Sequence, residues 1–346
     1  MASMRAELRR NPSNLDVAVK LAQRYYELVA EEGDPRFLGY AQAALAPWWK
    51  MPEPPVEVQV LRASLRQFSH DFDGSIADLT RVIERVPSHP RARALRATIH
   101  IVQARYDTAR ADCKALQSVA SEVIAIGCEA MIDGLTGNAG AAYRTLNAAF
   151  LAHPEAGPGD RLWVLIRLSE IAQRLEMYEA TEAYFKQALA LNIPDTFLLA
   201  AYADFLLDRK RPAEVVALLK DKVRSDTLLL RLVLAERILG AAPAKERQAI
   251  LAARYEAAQL RGDTVHQQEE ARFALEVQND PKKALRLAQE NWKVQLEPRD
   301  ARIYLEAALA LKDPAAAQPV LQWLSNSRIE DRYLISLAAQ LKGVQK

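Results

Sequence analysis

Glycine is scarce in this chain: 12 of the 346 residues are Gly, where a protein of average composition has about 7%. Aromatic residues are also few, at 7% of the sequence. A β-sandwich or a doubly wound sheet depends on Gly-rich turns and on β-branched or aromatic strand residues, so these shortages argue against both folds. The abundant residues include Ala, Leu, Arg, Glu and Gln, which lose little conformational freedom in a helix. The composition therefore predicts an all-α protein.

The chain also lacks an excess of charge and a long apolar run. Its 46 basic and 44 acidic residues leave a formal net charge of +2, whereas a nucleic-acid-binding protein carries a marked basic excess. No apolar stretch reaches the ~18 residues that a membrane-spanning helix needs, and the richest one, Phe197 to Leu207, is interrupted by Asp204. We therefore expect neither a nucleic-acid partner nor a membrane span.

The N-terminus lacks the apolar core of a signal peptide. It begins Met1-Ala2-Ser3-Met4, which looks like the remnant of an expression vector. We interpret residues 1–13 as tag or leader residues together with the start of the first helix. The native compartment stays open: periplasmic if a signal peptide preceded Met4, and cytoplasmic otherwise.

Sequence signatures of catalysis and metal binding are missing as well. The five His residues are scattered and form no zinc-binding spacing with the two Cys, and there is no Gly-rich phosphate loop or Gly-x-Ser-x-Gly motif. Ser69-His70 and Ser88-His89 are adjacent pairs in predicted turns, without a third group to orient them for nucleophilic catalysis. We expect no enzymatic activity, no cofactor and no bound metal.

A sequence pattern repeats along the chain with a period of about 34 residues. Residues 71–75 (Asp-Phe-Asp-Gly-Ser) recur at 105–109 as Arg-Tyr-Asp-Thr-Ala, and Ala63 matches Ala97 beside them. Each unit has a small residue in a first helix, then a turn, and a second helix that begins with a small residue. Several second helices end near proline, as at Pro87, because proline cannot continue a helix. Each unit therefore predicts a helical hairpin.

The repeat resembles the tetratricopeptide repeat (TPR) family. The copy most similar to the family pattern comprises Leu165, Leu168, Ser169, Ala172, Tyr178, Thr181, Phe185 and Ala188. The resemblance implies an all-α fold, a right-handed superhelical array (α-solenoid) of about eight or nine hairpins with a C-terminal capping helix. It predicts six hairpins in residues 14–225, a divergent hairpin with a long second helix in 226–262, further hairpins in 263–328, and the capping helix and tail in 329–346.

Three Asp-Pro pairs predict helix starts, at Asp34-Pro35, Asp280-Pro281 and Asp313-Pro314. The Asp side chain can accept a hydrogen bond from a backbone N–H of the first turn. Proline fits the first helical position, where no intrahelical hydrogen bond is lost.

In the TPR family the first helices line a concave groove that binds the partner, and the resemblance places a polar stripe there. Arg62 and Arg66 are followed one repeat later by Arg96 and His100. The full set of predicted groove residues is Arg62, Arg66, Arg93, Arg96, His100, Glu129, Arg167 and Glu170. Forked Arg donors suit an acidic or phosphorylated peptide. A solvated helix face with ion pairs inside the array, such as Arg96 with Glu129, is the alternative that the residues leave open.

The two cysteines, Cys113 and Cys128, fall on a predicted second helix and on the first helix that follows it. These helices should pack side by side, which brings a disulfide within reach and would indicate an oxidising compartment. Two buried free thiols, acting as small apolar residues, are the other outcome that the sequence allows.

Together these features predict a non-enzymatic protein-protein interaction scaffold or adaptor that binds a partner segment in the concave groove. Two alternatives stay open: a structural assembly subunit that oligomerises, and a regulatory TPR region from a larger enzyme. The sequence sets neither the partner's identity nor the oligomeric state.

Overall fold

The computed structural model describes residues 1–344, which contain helices, turns and loops and no strand. None of the helices in these residues is both long and apolar enough to cross a membrane. In chain order they are α1 Ala2–Arg10, α2 Leu15–Glu32, α3 Arg36–Ala44, α4 Ala46–Trp49, α5 Val56–Phe68, α6 Phe72–Arg85, α7 Pro90–Val102, α8 Tyr106–Leu116, α9 Glu122–Asp133, α10 Ala139–Ala152, α11 Pro158–Arg174, α12 Tyr178–Ala190, α13 Thr196–Asp208, α14 Pro212–Leu219, α15 Asp226–Leu239, α16 Ala244–Leu260, α17 Gln267–Glu276, α18 Pro281–Trp292, α19 Pro298–Ala310, α20 Gln318–Ser327 and α21 Arg332–Val344.

Consecutive helices pack against each other in pairs, which confirms the all-α prediction and is consistent with a helical repeat array. Residues 1–344 contain nine such pairs: α2/α3, α5/α6, α7/α8, α9/α10, α11/α12, α13/α14, α15/α16, α17/α18 and α19/α20. First helices of neighbouring pairs also contact each other, from α5 to α11 and again from α13 to α19. Small residues of the repeat, such as Ala63 and Ala97, are fully buried where these helices approach.

The turns after the first helices explain how the chain manages with so little Gly. A helix commonly ends with one residue in the left-handed conformation, usually Gly because Gly has no Cβ. Here non-Gly residues hold this conformation, including His70 at φ 58°, Ala104 at φ 56°, Glu176 at φ 59° and Lys210 at φ 57°. Most of the nine hairpins therefore turn without Gly, whereas Gly33, Gly137 and Gly240 take positive φ in the turns of α2/α3, α9/α10 and α15/α16.

Of the three predicted Asp-Pro helix starts, the one at Asp280 is confirmed. Its side chain accepts a hydrogen bond from the backbone N of Lys283, and Pro281 is the first residue of α18. The prediction is wrong at Asp313, whose side chain caps a turn by accepting from the N of Ala316. The helix begins only at Gln318, since Pro319 takes the early helical position that Pro314 was expected to fill. Asp34 and Pro35 likewise precede α3, which starts at Arg36.

The C-terminal helices pack against hairpins formed some two hundred residues earlier in the chain. One hydrophobic core contains Ile101 of α7 together with Trp323 of α20. The indole N–H of Trp323 donates to the Tyr106 hydroxyl at 3.3 Å. The backbone N of Leu296 donates to the carbonyl of Val102 at 2.8 Å. Helices α7 to α9 and the C-terminal helices therefore share one core.

Two further contacts continue this junction on the turns after α9 and α11. Glu330 accepts a hydrogen bond from the backbone N of Ala139 at 2.6 Å. Arg332 pairs with Glu176 at 3.0 Å. We call these two contacts, with the Trp323–Tyr106 and Leu296–Val102 contacts, the closure contacts. They show that the chain folds back on itself, which sequential pairing of hairpins does not by itself require.

Candidate partner-binding surface

The predicted arginine stripe forms two ion-pair clusters, one in each of two neighbouring hairpins. In α5/α6, Arg62 and Arg66 both donate to Asp78, with N–O distances of 2.8 Å from Arg62 Nε and from Arg66 Nη1. In α7/α8, Arg93 and Arg96 converge in the same way on the carboxylate of Asp112, at 3.1 and 2.8 Å. In each hairpin two arginines therefore share one carboxylate of the second helix.

Arg62 is buried, whereas the repeat spacing predicted that it would be exposed in the groove. The Arg62 side chain is 3% exposed and Asp78 is fully buried. The same guanidinium also donates to the backbone carbonyls of Trp49 and Met51, which ties down the connector before α5. Arg66 retains some exposure, at 29%. Arg62 is buried, contrary to the prediction, because it pairs with Asp78, a buried acid on the second helix of the hairpin. The predicted stripe considered only first-helix residues and so did not include Asp78.

Asp78 and Asp112 are the residues that the sequence reasoning missed. They are themselves one repeat apart, as are Arg62 and Arg96. The signal that could have identified both clusters was an Arg followed by an Asp at a separation of 16 in each of two successive units. The alternative of ion pairs inside the array matches the contacts made here, but the partner of Arg96 is Asp112 and not Glu129.

His100 and Glu129 lie on the next part of the predicted stripe. The His100 side chain is buried, and its Nδ1 has no hydrogen-bond partner in the described residues. Burial lowers the pKa of His100, with Asp112 opposing this shift and Arg96 adding to it, so the neutral imidazole is favoured. Glu129 accepts from Arg110 of the preceding helix at 2.8 Å. Neither side chain extends a basic surface.

Arg167 belongs to a different arrangement, a cationic–aromatic cluster of Arg167, Phe197 and Arg299. The Phe197 ring of α13 lies 5.3 Å from the Arg167 guanidinium of α11 and 5.7 Å from that of Arg299 in α19. Phe197 is 38% exposed, and the Arg299 side chain is 45% exposed. Arg167 pairs with Glu170 at 3.0 Å, while its Nε has no partner within residues 1–344. The cluster combines an accessible aromatic face with donors that suit a carboxylate.

Sequence spacing identified Arg167 and Glu170 but missed Phe197 and Arg299. Phe197 was assigned to a generic apolar helix, and Arg299 lies several hairpins beyond Arg167, outside any repeat match that the sequence offered. The residues meet because α19 packs back toward α13. Arg302, one turn after Arg299, also crosses to Asp208 at 2.8 Å.

An acid-centred network links α13 to two later hairpins. Asp204 pairs with Arg231 of α15 at 2.7 Å and with Arg272 of α17. Burial disfavours the charged form of Asp204, but the two guanidinium groups outweigh it and hold its pKa well below the usual range. Asp204 thus joins the hairpin of α13 to those of α15 and α17.

Cys113 and Cys128 form a disulfide with an S–S distance of 2.02 Å. The bond joins α8 to α9, and both residues are buried in the core that also contains the C-terminal helices. Of the two outcomes that the sequence allowed, the structure has the bridged one.

An open cavity of about 500 Å³ lies between α9 and α10. Ala148, Ala149 and Ala152 form much of its wall, with Glu122 and His153 at one end. His153 contacts Glu122 at 3.3 Å, so its polar groups are used within the chain. No group of three or more His, Cys, Asp or Glu side chains that could hold a metal ion occurs in residues 1–344.

Protein-family models give no match to this chain, and a search of curated protein sequences gives none either.

Proposed function

We propose that this protein is a non-enzymatic scaffold that binds a segment of a partner protein, built as a right-handed superhelical array of TPR-like hairpins. Support comes from the nine sequential helix pairs and from the contacts between neighbouring first helices. The matched clusters Arg62–Asp78 and Arg96–Asp112 add to it, because they recur with the period of the repeat. Repeat arrays of this kind present extended surfaces that suit protein recognition.

The bound segment is acidic, and its site is the cationic–aromatic cluster. The observation that carries this assignment is the partly exposed Phe197 ring within 6 Å of two guanidinium groups, with Arg299 nearly half exposed. Arg299 donates through Nη2 to Glu297 at 2.8 Å. A carboxylate of the partner would accept from its other N–H groups while an apolar side chain packs on Phe197. The arginines that converge on Asp78 and Asp112 suit this role less because they are less exposed than Arg299: Arg66 is 29% exposed and Arg93 is 17% exposed, against 45% for Arg299.

Fluorescence anisotropy with a labelled hexaglutamate peptide ending in Phe tests the proposal. We expect saturable binding that weakens with salt, and about tenfold weaker binding for Arg299→Glu, which reverses the charge at the site. Arg144→Glu is the matched control, because Arg144 is an exposed arginine on α10. Its binding should equal that of the wild type. Equal loss in both variants would show that only the overall charge matters.

We further propose that the protein works in an oxidising compartment, because the Cys113–Cys128 disulfide would not persist in a reducing cytosol. Thiol titration of the denatured protein, purified without reductant, provides the test. No reactive thiol is expected before reduction and two after it. Two thiols in the unreduced sample would contradict the assignment.

A further inference from the structure

The outward face of α16 carries an apolar stripe that no other helix covers. The stripe consists of Ile250, Ala253, Ala257 and Leu260, which recur at steps of three and four and so share one side of the helix. Leu260 is 84% exposed and Ile250 is 40% exposed. Contiguous exposed apolar residues mark an interaction surface, whereas apolar residues exposed singly do not, and here the exposed residues share one helix face.

The opposite face of α16 already makes the contacts that hold the helix in the fold. Leu251 and Tyr255 are buried there, and the Tyr255 ring packs edge-on against Phe273 of α17 at 5.5 Å. Arg254 pairs with Asp226 of α15 at 2.7 Å. The stripe is therefore an additional apolar surface, separate from the one that the hairpin needs.

Charges at the two ends of the stripe indicate what covers it. Glu246 lies at the N-terminal end and Arg261 directly follows the C-terminal end; both are exposed, and neither has an ion-pair partner in residues 1–344. About four helical turns separate them, or ~22 Å along the axis. In an antiparallel, two-fold pairing of two α16 helices, each Glu246 would face Arg261 of the partner subunit. Ile250 would then face Ala257 of the partner subunit.

We propose that the protein forms a homodimer through this antiparallel α16–α16 contact. A two-fold interface uses the same patch on both copies, so an acid at one end and a base at the other give two ion pairs. Ile238, 65% exposed, and Leu239, 48% exposed, extend the apolar area beside the N-terminus of α16. The hydrogen bond from Arg237 to Gln248, at 3.0 Å, holds the end of α15, which carries Ile238 and Leu239, beside the first turns of α16. This surface is separate from the cationic–aromatic cluster.

Sedimentation velocity over about 1–100 µM, the range in which a modest dimer dissociates, measures the mass directly. We expect wild type to approach twice the chain mass of 38.7 kDa at the upper end. The variant Ile250→Glu/Leu260→Glu should remain at one chain mass. Leu151→Glu, a matched change at a residue of α10 that is 68% exposed, should dimerise like the wild type. A wild type of one chain mass throughout, or a dimer that the double variant leaves intact, would overturn the proposal.

A charge swap tests the antiparallel register. Glu246→Arg alone and Arg261→Glu alone should each raise the dimer dissociation constant about tenfold, since each places like charges opposite one another. The double swap should restore wild-type dimerisation, and failure to restore it would overturn the pairing. Because the peptide site does not involve α16, loss of dimerisation with intact hexaglutamate binding separates this proposal from the proposed function.

Discussion

The clusters in α5–α8 and the network around α13 use the same chemistry for different purposes. Arg62 and Arg96 each reach an Asp only 16 residues further on, within one hairpin. Asp204 instead joins Arg231 and Arg272, the second of them 68 residues away. The first arrangement makes each hairpin a rigid unit, whereas the second fixes how separate hairpins sit together. The role of an Arg–Asp pair in this molecule thus depends on which helices it connects.

The largest effect is expected from breaking the local cluster at Asp78. Asp78→Ala leaves Arg62, which is 3% exposed, without its counter-charge. Removing one member of a buried ion pair costs about 3–5 kcal/mol, so we expect a loss of that order in the free energy of unfolding. Urea denaturation followed by circular dichroism measures it.

The control is Arg62→Leu/Asp78→Leu, which removes both charges and keeps apolar volume. It should be clearly more stable than Asp78→Ala, because no buried charge is left unpaired. If the double variant is as unstable as the single one, the packing of Arg62 against the connector matters more than its ion pair.

A smaller loss, about 2–3 kcal/mol, is expected for Asp204→Ala, because Asp204 is partly exposed and water can replace some of its contacts. Asp204→Ala differs from Asp78→Ala in the helices whose backbone amides should lose protection from hydrogen exchange. Hydrogen exchange should increase across α13, α15 and α17 together, whereas Asp78→Ala should affect mainly α5 and α6. Exchange confined to α13 would show that the network does not couple hairpins.

A pH dependence of about 1–2 kcal/mol is expected from His70, which lies at the junction of the early and late hairpins. This is less than the full pKa shift would give, because the His70 side chain is partly exposed to solvent. Burial, assisted by the positive charge of Arg299, lowers the pKa of His70 to about 4 against opposition from Glu269 and Glu297. The folded chain therefore favours neutral His70, whose ring stacks on Phe72. His266 also faces it and, when protonated, disfavours the charged form.

The direction of the pH effect on stability follows from comparing this lowered pKa with the pKa of His70 in the unfolded chain, which is about 6.5. The stabilisation is complete above that pH and is lost as the pH falls toward 4. Thermal melts of wild type and His70→Asn between these values check it, since Asn tolerates the positive φ but does not titrate. Parallel pH profiles for the two proteins would rule out His70 as the source.

The smallest effect is expected from Arg332→Ala, below about 0.5 kcal/mol, because exposed ion pairs contribute little. Its pair with Glu176 is one of the closure contacts, but the Arg332 side chain is 64% exposed. Trp323→Ala, in the shared core, should cost several times more. If Arg332→Ala and Trp323→Ala lowered the melting temperature equally, the exposed ion pair would stabilise the closure contacts as much as the shared core does.

Local features were the part of the fold that the sequence could predict. The recurrence of Ala63 as Ala97 one repeat later indicated helical hairpins because small residues are needed where helices touch, and both are fully buried. The helix cap at Asp280 was also predictable, because it involves only residues within three positions along the chain. The proximity of the two cysteines could also be inferred, although their oxidation state could not.

Contacts between distant units were not predictable from the repeat. Phe197 and Arg299 meet only because the chain folds back, and no periodic signal encodes that distance. The exposure of Arg62 was misjudged because a helix face alone does not reveal a buried Asp78 on the next helix. Composition and period determine neighbours in a repeat array, whereas the candidate site depends on how the whole array curves.

The closure contacts have a consequence for the order in which this chain folds. In an open repeat array each unit contacts only its neighbours, so the early hairpins could finish folding while later ones are still being synthesised. Here the Tyr106 hydroxyl has its hydrogen-bond donor, the Trp323 indole, 217 residues later, and the core around Ile101 is completed by residues of α17 to α21. Closing so long a loop is slow relative to forming a hairpin. Hairpin α7/α8 therefore exposes an incomplete apolar edge until α17 to α21 have been synthesised and have packed against it.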